Sequence, residues 1–142
     1  MDPREFLTLA SNLVVGTSPA EIRSAISRAY YAIHHVSSEI LSELGAQIKK
    51  SGDRHGYVWK CLSNSGDTEI IKVGSQLGDL QSKRNKADYD LANTSIESQK
   101  TAQGIVEQTK RMIQIIEGCR SEPKRTKIAK AIQEYEKVLS GM

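Results

Sequence analysis

The placement of proline constrains this chain more than any other feature. There are three prolines, and each follows a residue able to cap a helix. Asp2-Pro3-Arg4-Glu5 reads as a cap, a first-turn proline and a glutamate at the third helical position. Ser18-Pro19-Ala20-Glu21 repeats that pattern, and Ser121-Glu122-Pro123 is a looser version. Proline fixes φ and lacks an N–H, so it suits a first turn and breaks a helix interior. The side-chain oxygen before it accepts from the free N–H groups of that turn. No proline interrupts the stretch between Pro19 and Pro123. No segment sustains the period-two alternation of a strand. The chain reads as all-α.

The apolar spacing predicts helices over about residues 3–15, 19–44, 53–62, 67–91, 95–119 and 122–140. The connections are Val15-Gly16-Thr17, residues 45–52, Ser63-Asn64-Ser65-Gly66 and Ala92-Asn93-Thr94. They are short, which makes successive helices antiparallel neighbours. The expected fold is an antiparallel four- to five-helix bundle over residues 1–120, with an additional C-terminal helix in residues 121–142 packed on or beside it. At 142 residues the chain has the size of one domain, able to bury a single core without disulfide or metal staples. Cys61 and Cys119 accordingly read as small core residues, not as a disulfide framework. The longest apolar run, Ala29–Ile33, has five residues, against about 20 for a membrane span. Met-Asp-Pro-Arg-Glu lacks the basic and apolar run of a signal peptide. A soluble, cytoplasmic protein with no membrane partner is expected.

Two helices carry the informative side chains. In the second, Ile22, Ala25, Ile26, Ala29, Tyr30, Ile33, Val36, Ile40, Leu41 and Leu44 follow the spacing of one buried face. The opposite face collects Ser24, Ser27, Arg28, Tyr31, His34, His35 and Ser38. An ordinary solvent face carries Lys–Glu pairs, whereas aromatic, imidazole and hydroxyl groups mark interfaces and polar sites. In the fourth, the stripe Ile70, Val73, Leu77 and Leu80 continues onto Arg84, Ala87 and Leu91. A guanidinium in register with a core stripe requires a carboxylate, carbonyls or a ligand. Asp88, four residues on, is the local candidate. Two readings follow: an Arg84–Asp88 pair that closes the end of the bundle, or an arginine fork presented to phosphate at a cleft or dimer seam. Gly74 and Gly78 weaken this helix and point to close approach by a neighbour.

Net charge is +3, concentrated in the second half, where residues 81–142 hold 12 Lys/Arg against 8 Asp/Glu. No metal site is expected, because adjacent His34 and His35 diverge by about 100° on a helix, and no cofactor is implied. Gly74-Ser75-Gln76-Leu77-Gly78 lacks the pattern of a phosphate loop. Arg54-His55-Gly56-Tyr57-Val58-Trp59-Lys60 interleaves basic and aromatic residues, suited either to base stacking or to anchoring the core.

The stretch Arg23-Ser24-Ala25-Ile26-Ser27-Arg28-Ala29-Tyr30-Tyr31-Ala32-Ile33-His34-His35 resembles the second helix of HEPN-domain proteins. Arg84-Asn85-Lys86-Ala87-Asp88-Tyr89 resembles the later motif of the subgroup reading Arg-x-x-Ala-Asp-Tyr. The resemblance covers about residues 1–120. It implies a bundle that forms a homodimer, with the motif arginines of both subunits lining one cleft. Active HEPN ribonucleases place a histidine four to six residues after that arginine and cleave RNA without metal. Many members are toxins paired with a nucleotidyltransferase antitoxin, or parts of phage-defence systems; others bind nucleotides or partner proteins.

This chain departs from the pattern where chemistry needs it, because the positions after Arg84 hold Asp88, Tyr89 and Asp90 and no histidine. An unperturbed tyrosine is a poor base at pH 7. The leading expectation is a non-catalytic module binding RNA, a nucleotide or a partner through an Arg84-lined dimer cleft. Arg84, Lys83, Lys86, Arg28, Tyr31 and His34 form that surface. The alternative is a metal-independent endoribonuclease. There Arg84 holds the scissile phosphate, Asn85 and Asp88 orient it, Tyr89 takes the place of the missing histidine, and His34 or His35 supplies an imidazole from the second helix. Lys110 and Arg111 join Lys83 and Lys86 in steering RNA. The remaining reading is a helical dimer in which Arg84–Asp88 is purely structural.

Overall fold

The computed structural model describes residues 1–48 and 52–141. Among them the chain forms six α-helices and no strand: α1 (Arg4–Leu13), α2 (Pro19–Glu43), α3 (Arg54–Ser63), α4 (Thr68–Tyr89), α5 (Gln99–Glu117) and α6 (Lys124–Leu139). Two 3₁₀ turns, Thr94–Ile96 and Gly118–Arg120, flank α5. No helix among the described residues is long and apolar enough to cross a membrane.

The proline signals each open a helix, by three different caps. Ser18 and Glu21 form a full capping box at α2, each side chain bonding the other's backbone N–H. Asp2 Oδ1 accepts from Arg4 N at 2.9 Å ahead of α1. At α6 it is Glu122, not Ser121, that caps, accepting from Thr126 N at 2.8 Å. The other starts are capped by Asp53, Asp67 and Ser98. Gly45, at φ +100°, ends α2 with a backbone conformation that a side chain disfavours. Of the expected connection at residues 45–52, residues 49–51 lie outside the described residues.

The expected α4 and α5 boundaries shift. α4 ends at Tyr89, so Leu91 leaves the buried stripe and is 71% exposed. Residues 94–96 then form a 3₁₀ turn capped by the Asn93 side chain, and α5 starts only at Gln99. Two successive short side-chain caps, Asn93 and Ser98, make a turn and a restart where the apolar spacing alone predicts one helix from 95.

α2 is the central element, in contact with α1, α3, α4 and α5. All ten residues of its expected apolar face are buried, and so are Arg23, Ser27, His34 and Ser37 on its other sides. Of the face opposite the apolar stripe, Ser27 and His34 are buried, Arg28, Tyr31, His35 and Ser38 are half-buried, and Ser24 is exposed. α3 and α4 approach closely at Gly74, where a Cβ would lie 2.8 Å from Ser63 Oγ and 2.9 Å from Ser63 N. Gly78 is in ordinary contact with the Trp59 ring. Cys61 and Cys119 are buried free thiols whose pKa burial pushes up to about 11.

α6 buries Ile128 and Ile132. Lys124 ties its first turn to Glu69 at 2.9 Å and Asp67 at 3.8 Å. Farther along, the Glu136 carboxylate accepts from the Tyr57 hydroxyl and from Gln47 N.

Candidate anion-binding site

Two arginines, each 7% exposed, lie along the α2–α4 contact, and their surroundings differ. Arg23 on α2 is saturated. Its Nη1 donates to the carbonyls of Lys86, Ala87 and Asp90 at 3.0–3.2 Å. Its Nη2 donates to those of Asn93 at 2.7 Å and Leu91 at 3.4 Å, and its Nε to Glu97 Oε2 at 2.8 Å. These carbonyls are the end of α4 and the turn after it. Arg23 thus supplies the donors that the last turn of a helix lacks, with its charge at the negative end of the helix dipole.

Arg84 on α4 is poorly supplied. Its Nη1 lies 3.5 Å from the Tyr31 hydroxyl and 3.9 Å from Asp88 Oδ2, both at the limit of useful contact. Its Nε is buried with no partner. The guanidinium carbon sits 5.0 Å from the Tyr30 ring centroid and 5.4 Å from that of Tyr31, so aromatic faces take the place of acceptors. Asp88 is shared, accepting from Ser27 Oγ at 3.1 Å. A second guanidinium reaches the same tyrosine: Arg28 lies 4.9 Å over Tyr31 and 5.3 Å over Phe6, with one hydrogen bond among the described residues, 3.4 Å to Ser27 Oγ. Two cations flank Tyr31, and Asp88 is the one carboxylate paired with either among the described residues.

All three histidines of the chain converge on this point. His34 stacks on His55 with centroids 4.2 Å apart and on Tyr30 at 5.6 Å. His35 stacks on Tyr31 at 6.0 Å and on Phe6 at 5.9 Å. The Tyr30 hydroxyl and His55 Nδ1 are 2.5 Å apart. Burial pushes the Tyr30 phenol pKa far up, so its O–H donates and the His55 ring proton sits on Nε2. Every imidazole titrates low. Burial, then repulsion from the protonated forms of His55 and His35 and from Arg54 and Arg84, takes His34 down to about 3. Burial and Arg54 lower His35; burial, Arg84, Arg54 and His35 lower His55, against Asp53. At pH 7 the cluster is three neutral imidazoles beside two guanidinium groups with one paired carboxylate, Asp88, among the described residues. Such a site attracts an anion and has groups able to accept a proton.

The structure thus brings Arg84, Arg28, Tyr31, Asp88 and His35 to one place, with Tyr30, His55, Phe6 and Ser27. His34 belongs to the cluster but is 1% exposed, closed to direct contact with a ligand. Lys83, Asn85, Lys86 and Tyr89 are exposed on the outer side of α4 and its end; Tyr89, at 75%, forms no ring pair with another described residue. Lys110 is held by Glu107 at 3.0 Å, and Arg111 is exposed on α5.

His55 and Arg23 were not singled out from the sequence. The basic–aromatic stretch 54–60 contains His55 but does not assign it to this site, which it reaches only because α3 packs on α4 and α2. For Arg23 one signal was legible: an arginine flanked by Ile22, Ala25 and Ile26 at the start of a buried helix needs acceptors, as Arg84 does. No family model matches this chain, nor does any curated protein or solved structure.

Proposed function

We propose that this chain is a HEPN-type helical module, acting as a homodimer, that binds the phosphate of RNA or a nucleotide at Arg84. The carrying observation is the state of Arg84: a buried guanidinium with an unpartnered Nε, two long contacts, and a second arginine across the same tyrosine. Burying such a charge without acceptors is costly, and a phosphate reaching the outer nitrogens of Arg84 and Arg28 supplies them. The two HEPN-like motifs support the family reading, since Ser27 and Tyr31 of the first touch Asp88 and Arg84 of the second. Exposed Tyr89 and Leu91 at the end of α4 offer an apolar edge for a second copy. A toxin–antitoxin or phage-defence setting, with a nucleotidyltransferase-type antitoxin or other defence protein as partner, rests on the motif resemblance.

A fluorescently labelled single-stranded RNA titrated with wild type and Arg84→Ala tests the reading. Binding that weakens at least tenfold in the folded variant and falls with added salt supports it. Equal binding by both proteins removes Arg84 as the anchor.

The alternative, a metal-independent endoribonuclease, is favoured by the histidine cluster. With no imidazole after Arg84 on α4, His35 stands as the neutral proton acceptor, supplied from α2, whereas His55 Nδ1 is already taken by the Tyr30 hydroxyl. Tyr89 is not needed as a substitute base. RNA cleavage in EDTA that persists in His35→Ala excludes His35 as a required base.

A further inference from the structure

A shallow cleft of about 340 Å³ is walled by Met1, Pro3, Phe6, His35 and Glu39, and the Arg28 guanidinium lies 5.3 Å over the Phe6 ring at its wall. We propose that it is a guanine-reading subsite: the base rests on Phe6 and His35, Glu39 reads its edge, and Arg28 with Arg84 holds the phosphate of the same guanosine. The inference rests on the phosphate-binding reading above and adds to it the identity of the base.

The register along α2 lays the parts out in order. Arg28, Tyr31, His35 and Glu39 recur at three- and four-residue spacing, so they share one face. Going along that face, the chain presents a guanidinium, an aromatic ring, an imidazole and a carboxylate. Glu39 lies about 6 Å beyond His35 along the helix axis. A nucleotide presents the matching sequence of an anion, a sugar, a flat base and that base's hydrogen-bonding edge.

Phe6 and His35 form the platform, with Tyr31 behind them tilted 45° from Phe6. Phe6, Tyr31 and His35 make a triangle with centroids 5.9–6.2 Å apart, and the His35 plane lies within 24° of the other two. All three are half-buried, and Phe6 and His35 line the cleft. Neutral imidazole and benzene faces stack on any base, so the platform alone does not select.

Selection falls to Glu39. A carboxylate is acceptor-only and is best matched by two parallel N–H donors. Guanine carries that pair, N1–H and N2–H, on its Watson–Crick edge. Adenine and cytosine present an amino group beside a ring acceptor, and uracil a single N–H between carbonyls. Glu39 is available for the role. It is exposed, and its neighbour Arg120, 3.5 Å away, makes its two shorter bonds, 2.9 Å each, to Glu43.

Calorimetric titration of wild type, Glu39→Gln, Phe6→Leu and Arg84→Ala with GMP, AMP, CMP and UMP tests this. The expected result is a preference for GMP of about tenfold, the scale of one bidentate base contact. Glu39→Gln removes the preference, Phe6→Leu weakens all four nucleotides, and Arg84→Ala weakens all four further. A wild type that binds the four equally through Arg84 overturns the guanine subsite and leaves the phosphate site standing; so does a preference that survives Glu39→Gln. Absence of binding by every nucleotide and by oligoribonucleotides defeats both readings. If a short G-containing oligoribonucleotide binds tighter than GMP, the guanosine comes from unpaired RNA; if it binds no better, the free nucleotide is the ligand.

Discussion

Arg23 and Arg84 are equally buried, belong to helices in contact, and differ in nearly everything else. Arg23 donates to five carbonyls and a carboxylate, and so fastens the end of α4 and its following turn to α2. Arg84 leans on two aromatic rings and has one carboxylate at 3.9 Å. Burial alone therefore says little about an arginine's role. The acceptors around it separate a charge that completes a fold from one held ready for something the fold does not contain. The two are also linked: Lys86 and Ala87, whose carbonyls Arg23 holds, lie between Arg84 and Asp88 in the chain, so Arg23 sets where the Arg84–Asp88 turn of α4 lies.

The same substitution at both positions breaks the pair apart most sharply. Arg23→Met leaves Glu97 and the carbonyls at the end of α4 without their donor, at an expected cost of about 3–5 kcal/mol. Arg84→Met keeps the side-chain volume and removes a buried charge with few partners, so its stability stays within about 1 kcal/mol of wild type or rises. Urea unfolding of the two variants reads the difference directly. Equal losses would make Arg84 a structural residue as well.

The contrast also shows how much was legible in the sequence. Arg84 was visible because it interrupts a local stripe, Ile70 to Leu80, at a position that must be buried. The caps at Asp2 and Ser18 and the ten apolar residues of α2 were legible for the same reason, since spacing within one helix carries them. The outlying parts of the site were not. His55 meets Tyr30 across 25 residues and Arg23 meets Asn93 across 70, and no local period encodes such pairings. Leu91 misled for a related reason: the apolar stripe continues past Tyr89, but Arg23 and the Asn93 cap stop the helix.

A pH series sharpens the description of the Arg84 side. The folded state holds its imidazoles below their unfolded pKa of about 6.5. As pH falls through that value the unfolded chain gains protons that the folded one refuses, so stability drops. Each fully neutral histidine contributes up to about 1.4 kcal/mol per pH unit, and His34 continues to do so down to about pH 3. Urea midpoints at pH 7.5, 6 and 5 should fall in that order, and less steeply in His34→Phe. A flat profile would mean that the cluster is hydrated and open.

The smallest expected effect separates ligand from scaffold. Asp88→Asn removes the one carboxylate paired with Arg84 among the described residues and should tighten RNA binding about threefold, with under about 1 kcal/mol of stability change. Weaker binding would instead assign Asp88 to orienting the ligand.

The central claim, that Arg84 is held for a ligand, is tested most directly by urea unfolding of wild type and Arg84→Met, each with and without a single-stranded RNA at 100 times its Kd for wild type. The account predicts equal ligand-free stabilities, about 2.7 kcal/mol of stabilisation by RNA in wild type, and almost none in the variant. An Arg84→Met protein as unstable as Arg23→Met, or one stabilised by RNA as much as wild type, would contradict it.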